Sequence, residues 1–588
     1  FDSELQRQHG NRLLILGAED ARGAAPGAAE LLLGVLQARA AQERNAEAQL
    51  SVYCNRRVEP WERRREAELS RRAADAGVEF HAPSGFLFRE PEACPIFEAV
   101  GRGQHIFKAF WEGWHQGGPV RRPVPRPTRC PGPSPDQLAE LTQGRLQLHA
   151  RTLQGQRGGT PAWPFPGPPP VSRRSPGGQR VTREEAEELA VHWRPLTEAG
   201  AREVLRRFQE DGGLGRYRGS ITRDAGPSKK ESRLSPYYRL GLLSMVEVYH
   251  TVDRSQPELQ KWLRRSAWRD YAYWMLRYWE QLPERPMRLA YQDLQWNDRE
   301  SHLEAWKRGC TGFPLVDAGM RELMQTGYLQ QNLRHTVGQF LVEVLGISWV
   351  EGEAWFHAAL ADCDAAINAM MWQHQGLVGV SQWLTGVDCH PVRHAKKADP
   401  DGAYVRRFCP ELARLDGRHL HAPWAAPASV LERAGVRLGE TYPHRIVEEP
   451  DAEKAAFLSK MRRCRARRPD LLGKGAGDTI ERPKGADGRL PTGMRSIFAL
   501  TERVMKEGES TLHGKGHGKG KHQRWDWADA GYPQEAGGGS GREVFLADEE
   551  GAREGAEAPG AARGGKGGKR AAPHWEPQQA EQPPAPGA

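Results

Sequence analysis

The sequence predicts an N-terminal α/β domain built on a parallel sheet, an all-α second domain and a disordered C-terminal tail. Three observations carry this. Short apolar runs alternate with Ala/Glu/Arg-rich stretches over residues 11 to about 105. Apolar residues then recur at three- and four-residue steps across 181–445, and the apolar pattern is lost after about 470. Strands alternating with helices favour a parallel sheet with helical crossovers, whereas three- and four-residue steps mark amphipathic helices. A chain of 588 residues has room for more than one core.

In the first domain, set at residues 1–115, RLLILG, QLSVYCN and GVEFHA read as strands. LLIL leads into a helix without an earlier partner, so the first strand of the sheet is expected to be missing and the domain truncated. Residues 116–180 (GGPVRRPVPRPTRCPGPSP, then WPFPGPPPVSRRSPGG) read as a Pro/Gly/Arg-rich linker around a short helix near 136–145. In the helical domain, 181–445, EEAEELAVHW, EAGAREVLRRFQE and PELQKWLRRSAWRDYAYWMLRYW are amphipathic. So is LQQNLRHTVGQFLVEVLG, where Leu329, Leu333, Val337, Phe340, Leu341 and Val344 form a core stripe. Gln331, His335 and Gln339 recur every four residues on another face, a polar row that one helix can turn to a cavity. A C-terminal extension is set at 446–505 and the disordered Gly/Lys/Pro-rich tail at 506–588. HGKGHGKGKH within it reads as a solvated basic stretch rather than a metal site.

The 84 Lys+Arg against 75 Asp+Glu, formally +9, permit a polyanionic partner without requiring one. The 8 cysteines form no CxxC pair, which points to reduced thiols in an intracellular protein with no zinc or cluster site. No run of about 18 apolar residues is present, so no transmembrane helix is expected. The chain begins at Phe1, which suggests a fragment and leaves targeting and compartment unread. The 19 tryptophans read first as large core residues; handling electrons or stacking on flat rings is the sharper alternative.

Several segments carry chemistry. In ESRLSPYYRLG, Ser232 and Ser235 either cap a helix begun by Pro236 or join free backbone N–H groups in gripping a phosphate. In WLRRSAWRDYAYW, Trp262 and Trp268 with Arg265 and Arg269 give a helix an aromatic and cationic side, suited to a nucleotide or flavin or simply to solvent and core. In ADCDAAINAMMWQHQG, residues 361–376, Asp362, Asp364 and Asn368 interrupt an otherwise buried helix. Buried charges are costly unless they are paired or hold a ligand. Arg334 is a candidate partner for Asp362, the alternative being two separate surface charges.

Together these segments resemble one family, the cryptochrome/photolyase flavoproteins, and lie closest to its plant-like and algal photolyase-related branches. NRRVEPWERRREAEL and HIFKAFWEGW match in the first domain. SRLSPY, AWRDY, TGFPLVDAGMREL, TGYLQQNLRH, ISWVEGEAWF, ADCDAAIN and DPDGAYVRRFCPEL then follow in the family's order. The resemblance spans roughly residues 10 to 445. It implies a photolyase-type α/β domain and a U-shaped FAD in the helical domain. Tyr217, Ser232, Arg233, Leu234, Ser235 and Trp262 would grip its phosphates, with Glu231 standing where many members have Thr. Trp268, Arg269, Arg334, Asp362, Cys363, Asp364 and Asn368 complete the implied pocket, Arg334 and Asp362 as an ion pair against the flavin and Asn368 facing its N5.

Trp372, Trp349 and Trp296 match, outward from the flavin, the chain that delivers electrons to it, so light-driven flavin reduction is implied. The cavity above departs from the cyclobutane-dimer pattern. Arg265 replaces a Glu that hydrogen-bonds the bases, Gln331 takes an Asn position, and His374 stands where a Trp stacks on the lesion, although Trp268 is kept. His335 matches the second histidine of the (6-4) photolyase pair, with Gln331 in place of the first. The resemblance therefore implies a cryptochrome-type photoreceptor, with a deoxyribodipyrimidine photolyase repairing UV-induced pyrimidine dimers as the alternative. A redox flavoprotein independent of light would leave the tryptophan chain unused. Implied partners are damaged or single-stranded DNA and signalling proteins acting through the tail, with no membrane. A second antenna chromophore of folate or deazaflavin type is not readable from these residues.

Overall fold

The computed structural model describes residues 51–124 apart from 76 and 94–105, then 197–216, 232–380 apart from 253, 254 and 256–258, and 389–472, with short strands at 15–17, 149–151, 478–481 and 494–497. The expected helix near 136–145, Tyr217 and the expected tail at 506–588 lie outside these residues.

The expected parallel unit is present. β2 (Ser51–Tyr53) runs into α1 (Pro60–Asp75), which opens on proline, and returns through β3 (Glu79–His81). The two strands pair in parallel, Ser51 opposite Glu79 and Tyr53 opposite His81. β1 (Ile15–Gly17) instead pairs antiparallel with β4 (His149–Arg151), a strand inside the stretch expected to be linker. The reason is visible in RLQLHAR, residues 145–151, whose polar and apolar residues alternate with the period of two of a strand. The proline-rich flanks outweighed that signal.

α2 (Ile106–Gln116) sends Phe107, Phe110, Trp111 and Trp114 into a core shared with α6 (Leu259–Tyr278), which is buried on nearly every side. Asp270 of α6 accepts hydrogen bonds from the backbone N–H groups of Phe88 (3.2 Å) and Arg89 (3.0 Å) and from the Trp114 indole (2.9 Å). One buried carboxyl thus ties the first domain to the second.

The helical region begins with α3 (Glu198–Glu210), capped by Thr197, then α4 (Ser235–Arg239) and α5 (Met245–Thr251), capped by Ser244. After α6 come α7 (Glu300–Arg308), α8 (Pro314–Thr326) and α9 (Gln331–Gln339). α9 passes into a π turn at Phe340–Val344. α10 (Trp349–Ala359) and α11 (Ala365–Gln375) follow, capped by Ser348 and Asp364. A second core gathers around α8, α9, the π turn and α10. α11 lies between the cores: Ala366, Ala369 and Met370 face the one with α6, and Trp372 faces the other.

The packed region continues past 445. Phe457, Leu458, Met461 and Cys464 of α12 (Pro450–Ala466), with Leu471, are buried in the second core, so much of the expected extension is integral to the fold. β5 (Asp478–Glu481) pairs antiparallel with β6 (Met494–Ile497). Asp478 receives Arg288 Nη1 and Arg465 Nε at 2.6 Å each, and Arg288 Nε donates to the Gly379 carbonyl at 2.8 Å. The strand is thereby anchored to the turn that follows α11.

Candidate functional site

α9 and α11, joined through α10 and its loops, place a row of polar groups between the two apolar cores. Arg334 Nη2 lies 2.9 Å from each oxygen of Asp362, and its Nε donates to the Leu329 carbonyl at 2.6 Å. Ser235 Oγ, at the start of α4, donates to Asp362 Oδ2 at 2.8 Å, and Arg239 donates to the Cys363 carbonyl. The pairing that the sequence left open is therefore formed, and a serine hydroxyl completes it. Arg233 holds a left-handed backbone, φ 50°, a conformation costing a non-glycine residue about 1 kcal/mol or more. Its guanidinium lies 4.8 Å from the Tyr328 ring centroid, beside that of Arg334 at 5.6 Å. Leu234 is buried, and Ser232 is half-buried at the entrance to this turn.

Asn368 lies one turn into α11. Its Nδ2 donates at 2.9 Å to both the backbone carbonyl and the Oε1 of Glu353 on α10. Burial pushes the Glu353 carboxyl up to about 7. His335 is held on both sides, Nε2 3.1 Å from the Gln331 amide and Nδ1 2.7 Å from the Gln375 amide. Burial first, then His374, Arg265 and Arg334, push its pKa down to about 3, so the ring is neutral. A neutral imidazole donates at one nitrogen and accepts at the other, so one carboxamide presents its oxygen to it. Gln339, the third member of the expected polar row, leaves this group. It donates to Glu343 at 2.8 Å and accepts from the Cys389 N–H at 2.6 Å, where the π turn redirects the helix.

The tryptophans interlock. A Cβ built on Gly352 of α10 would strike the six-membered ring of Trp372, and one built on Gly376 would meet Trp349 Cδ1 at 2.5 Å. Each indole therefore rests on the glycine of the facing segment. Trp372 and Trp349 are 2 % and 1 % exposed. Trp296 is partly exposed and stacks on Phe457 at 5.7 Å. The neighbouring Asn297 bonds to the carbonyls of Gly346 and Leu345, which pins this segment just before Trp349.

The α6 residues named for the pocket have partners of their own. Trp262 meets Phe88 edge-on at 6.3 Å. Trp268 stacks flat on Phe107 at 3.9 Å. Arg269 lies 3.8 Å over Phe86 and 3.2 Å from Asp364. Asp364 also caps α11 through Ile367 N–H and accepts from Tyr273 Oη at 3.1 Å, so its evident work is structural. Cys363 is buried, and burial raises its thiol pKa.

Two contributors escaped the sequence reading. Glu353 meets Asn368 from another helix, 15 residues earlier, and no periodicity marks that pairing. Gln375 had a usable signal: it lies seven residues, two helical turns, after Asn368, on the same face of α11.

Residues 262–463 match the family pattern described as "FAD binding domain of DNA photolyase". The chain is 32% identical over 303 residues to the deoxyribodipyrimidine photo-lyase of Thermus thermophilus, covering 51% of this chain and 69% of that one. It is 35% identical over 257 residues to Cryptochrome-1 of Arabidopsis thaliana, covering 41% of this chain but 38% of that protein. Among solved structures, a bacterial class III photolyase from Agrobacterium tumefaciens superimposes with a TM-score of 0.61 at 27% identity, over 79% of this chain and 86% of that one. The donor set suits the flat heterocycle of FAD: a guanidinium already neutralised by a carboxylate, a neutral imidazole, and a carboxamide whose Oδ1 has no hydrogen-bond partner among the described residues.

Proposed function

The chain belongs to the photolyase/cryptochrome family of FAD-binding flavoproteins, and from that premise we propose a blue-light photoreceptor of cryptochrome type, with Trp372, Trp349 and Trp296 as its electron relay. Bound FAD supplies the absorption of blue light and the capacity for one-electron chemistry. Arg334, Asp362 and Ser235 hold a polar wall for it, and Asn368 presents one more acceptor. Trp372 and Trp349 exclude water in the interior, and Trp296 ends the series where solvent begins, the order that a path to the surface needs.

The observation that carries the sensory reading is the condition of the lesion-side residues. Trp268, retained at a stacking position, already has a face covered by Phe107 at 3.9 Å. His374 is buried against Gly379 and offers no ring face. Arg265 stands where a carboxylate would accept hydrogen bonds from bases, and a guanidinium only donates. Repair is the second reading, favoured by photo-lyase relatives matched over most of their length. Base extrusion into a pocket of stacking groups is what repair would require.

The test is illumination of the reduced protein with duplex and single-stranded DNA carrying a cyclobutane dimer or a (6-4) photoproduct. The sensory reading expects no restored pyrimidines and a light-dependent change in protease cleavage of the C-terminal tail. Restored pyrimidines from either lesion would establish repair instead.

A further inference from the structure

The end of α11 is clasped from outside the helix. Gln373, next to Trp372, donates to the carbonyls of Leu282 (2.9 Å) and Arg285 (2.5 Å) and accepts from the Met287 N–H at 3.1 Å, so its buried amide is satisfied at both ends. In the turn that follows, Leu377 takes a left-handed backbone, φ 57°, which a non-glycine residue keeps where its surroundings impose it. Arg288 grips this turn twice. Its backbone N–H donates to the Val378 carbonyl at 3.0 Å and its Nε to the Gly379 carbonyl at 2.8 Å. Gly376, which opens the turn, is the residue against which Trp349 rests. The segment that starts at Arg288 runs on to Trp296. One residue thus ties together the segments that carry or seat all three tryptophans. Arg288 is itself wholly buried, and its charge is met from β5, where the equally buried Asp478 receives Nη1 at 2.6 Å. Arg465 of α12 takes the other oxygen of Asp478, Thr479 Oγ1 donates to the Leu471 carbonyl at 2.6 Å, and Ile480 enters the core around α6. β5 lies beyond the matched span, residues 262–463.

Resting on the reading of Trp372, Trp349 and Trp296 as the electron relay, we propose that Asp478 is a positioning residue for it. Through Arg288 it fixes the turn 376–379, and with that turn the seat of Trp349 against α11. The strand beyond the FAD-binding span thereby sets how fast the flavin is photoreduced. The physical reason is stored strain. A carboxylate shared by two guanidiniums has one favourable place, so Asp478 holds Arg288 in one place too. Without that anchor the left-handed turn relaxes toward ordinary backbone and carries Gly376 with it. Trp349 is packed directly on Gly376 and follows, because a close-packed interior transmits such shifts. Electron transfer between rings depends on their separation and orientation, so a displaced seat slows the relay.

The experiment uses the full-length FAD-bound protein and reads the rate of blue-light photoreduction per bound flavin, with Tm and the FAD dissociation constant measured on the same samples. Asp478→Asn keeps the shape and removes the charge. It is expected to slow photoreduction about three- to tenfold with the affinity for FAD unchanged. Asp317→Asn is the control for stability alone, because this buried carboxylate of α8 binds the Thr311 and Gly312 N–H groups and the Tyr442 hydroxyl instead. Its Tm is expected to fall while its rate per flavin stays that of wild type. Thr479→Val removes one hydrogen bond of β5 and no charge, so it serves if Asp478→Asn does not fold, and it is expected to slow the rate about twofold. A wild-type rate in Asp478→Asn, or in Thr479→Val where that variant must stand in, overturns the inference. Equal slowing in Asp317→Asn overturns it too, since stability alone would then explain the effect. Either result leaves the functional reading standing if Trp372→Phe loses photoreduction. An unaffected Trp372→Phe protein overturns that reading and the inference with it.

Discussion

Gly376→Ala isolates the contact between α11 and Trp349. Gly376 sits at φ −68°, ψ −4°, a conformation that alanine adopts freely, so the substitution introduces no backbone strain. By itself, replacing glycine at such a site stabilises by about 0.4–1 kcal/mol through the unfolded chain. The added methyl, however, would lie 2.5 Å from Trp349 Cδ1 and 2.8 Å from Cγ, about 1 Å inside ordinary contact. Trp349 is 1 % exposed and has no open side to retreat into. Overpacking of this kind costs about 1–3 kcal/mol, which leaves a net loss of about 1–2 kcal/mol. Tm should fall by about 2–4 °C per kcal/mol for a domain of about 200 residues. Gly417→Ala is the control, because nothing lies within 4 Å of its Cβ and it should be neutral or slightly stabilising. Thermal unfolding of the three proteins decides the matter. A Gly376→Ala protein as stable as the Gly417→Ala control would mean that the indole does not rest on residue 376 and that the interlocked tryptophan geometry is wrong.

Asp478→Ala strips the carboxylate from two guanidiniums, one of them, Arg288, wholly buried, and should cost about 3–5 kcal/mol by denaturant unfolding; a change under about 1 kcal/mol would show that β5 is not anchored in the core. Asp362→Ala leaves Arg334 with the Leu329 carbonyl and the Tyr328 ring as its partners among the described residues. It should cost about 2–3 kcal/mol, discounted for the partial exposure of Arg334, and lower the flavin content of the purified protein, which absorbance at 450 nm measures. Burial pushes the Asp270 carboxyl up to about 7, so the folded protein keeps a proton that the unfolded chain releases near 3.9. The stability it contributes is full below about pH 4 and is lost as pH rises through 7. Between pH 5 and 7.5 wild type should therefore lose Tm relative to Asp270→Asn, and parallel pH profiles would refute this.

What the sequence made legible is what short-range pattern encodes. The βαβ unit and the helices were visible in hydrophobic period and spacing, and the order of motifs in the resemblance to the family. The linker misled, because the three residues of β4 sit among prolines and glycines and their alternation is brief. The stretch after 445 was undervalued, since Phe457, Leu458, Met461 and Cys464 bury a face of a helix that also carries many charges. At the site, Asp362 was recognisable as a charge in need of a partner and the resemblance implied Arg334, 28 residues away; the local pattern left that pairing open, and folding supplies its geometry. Glu353 was unreadable, since neither period nor resemblance tied it to Asn368. A glutamate near a helix start is ordinary, and its hold on Asn368 depends on how α10 packs against α11.

The proposed function requires that bound FAD be reduced in blue light through the interior tryptophans. The most direct measurement is the rate of flavin photoreduction in the full-length FAD-bound protein under blue light, comparing wild type with Trp372→Phe. Photoreduction should be strongly lost in the variant, with flavin content retained. Equal rates in the two proteins would rule out Trp372 as the donor next to the flavin.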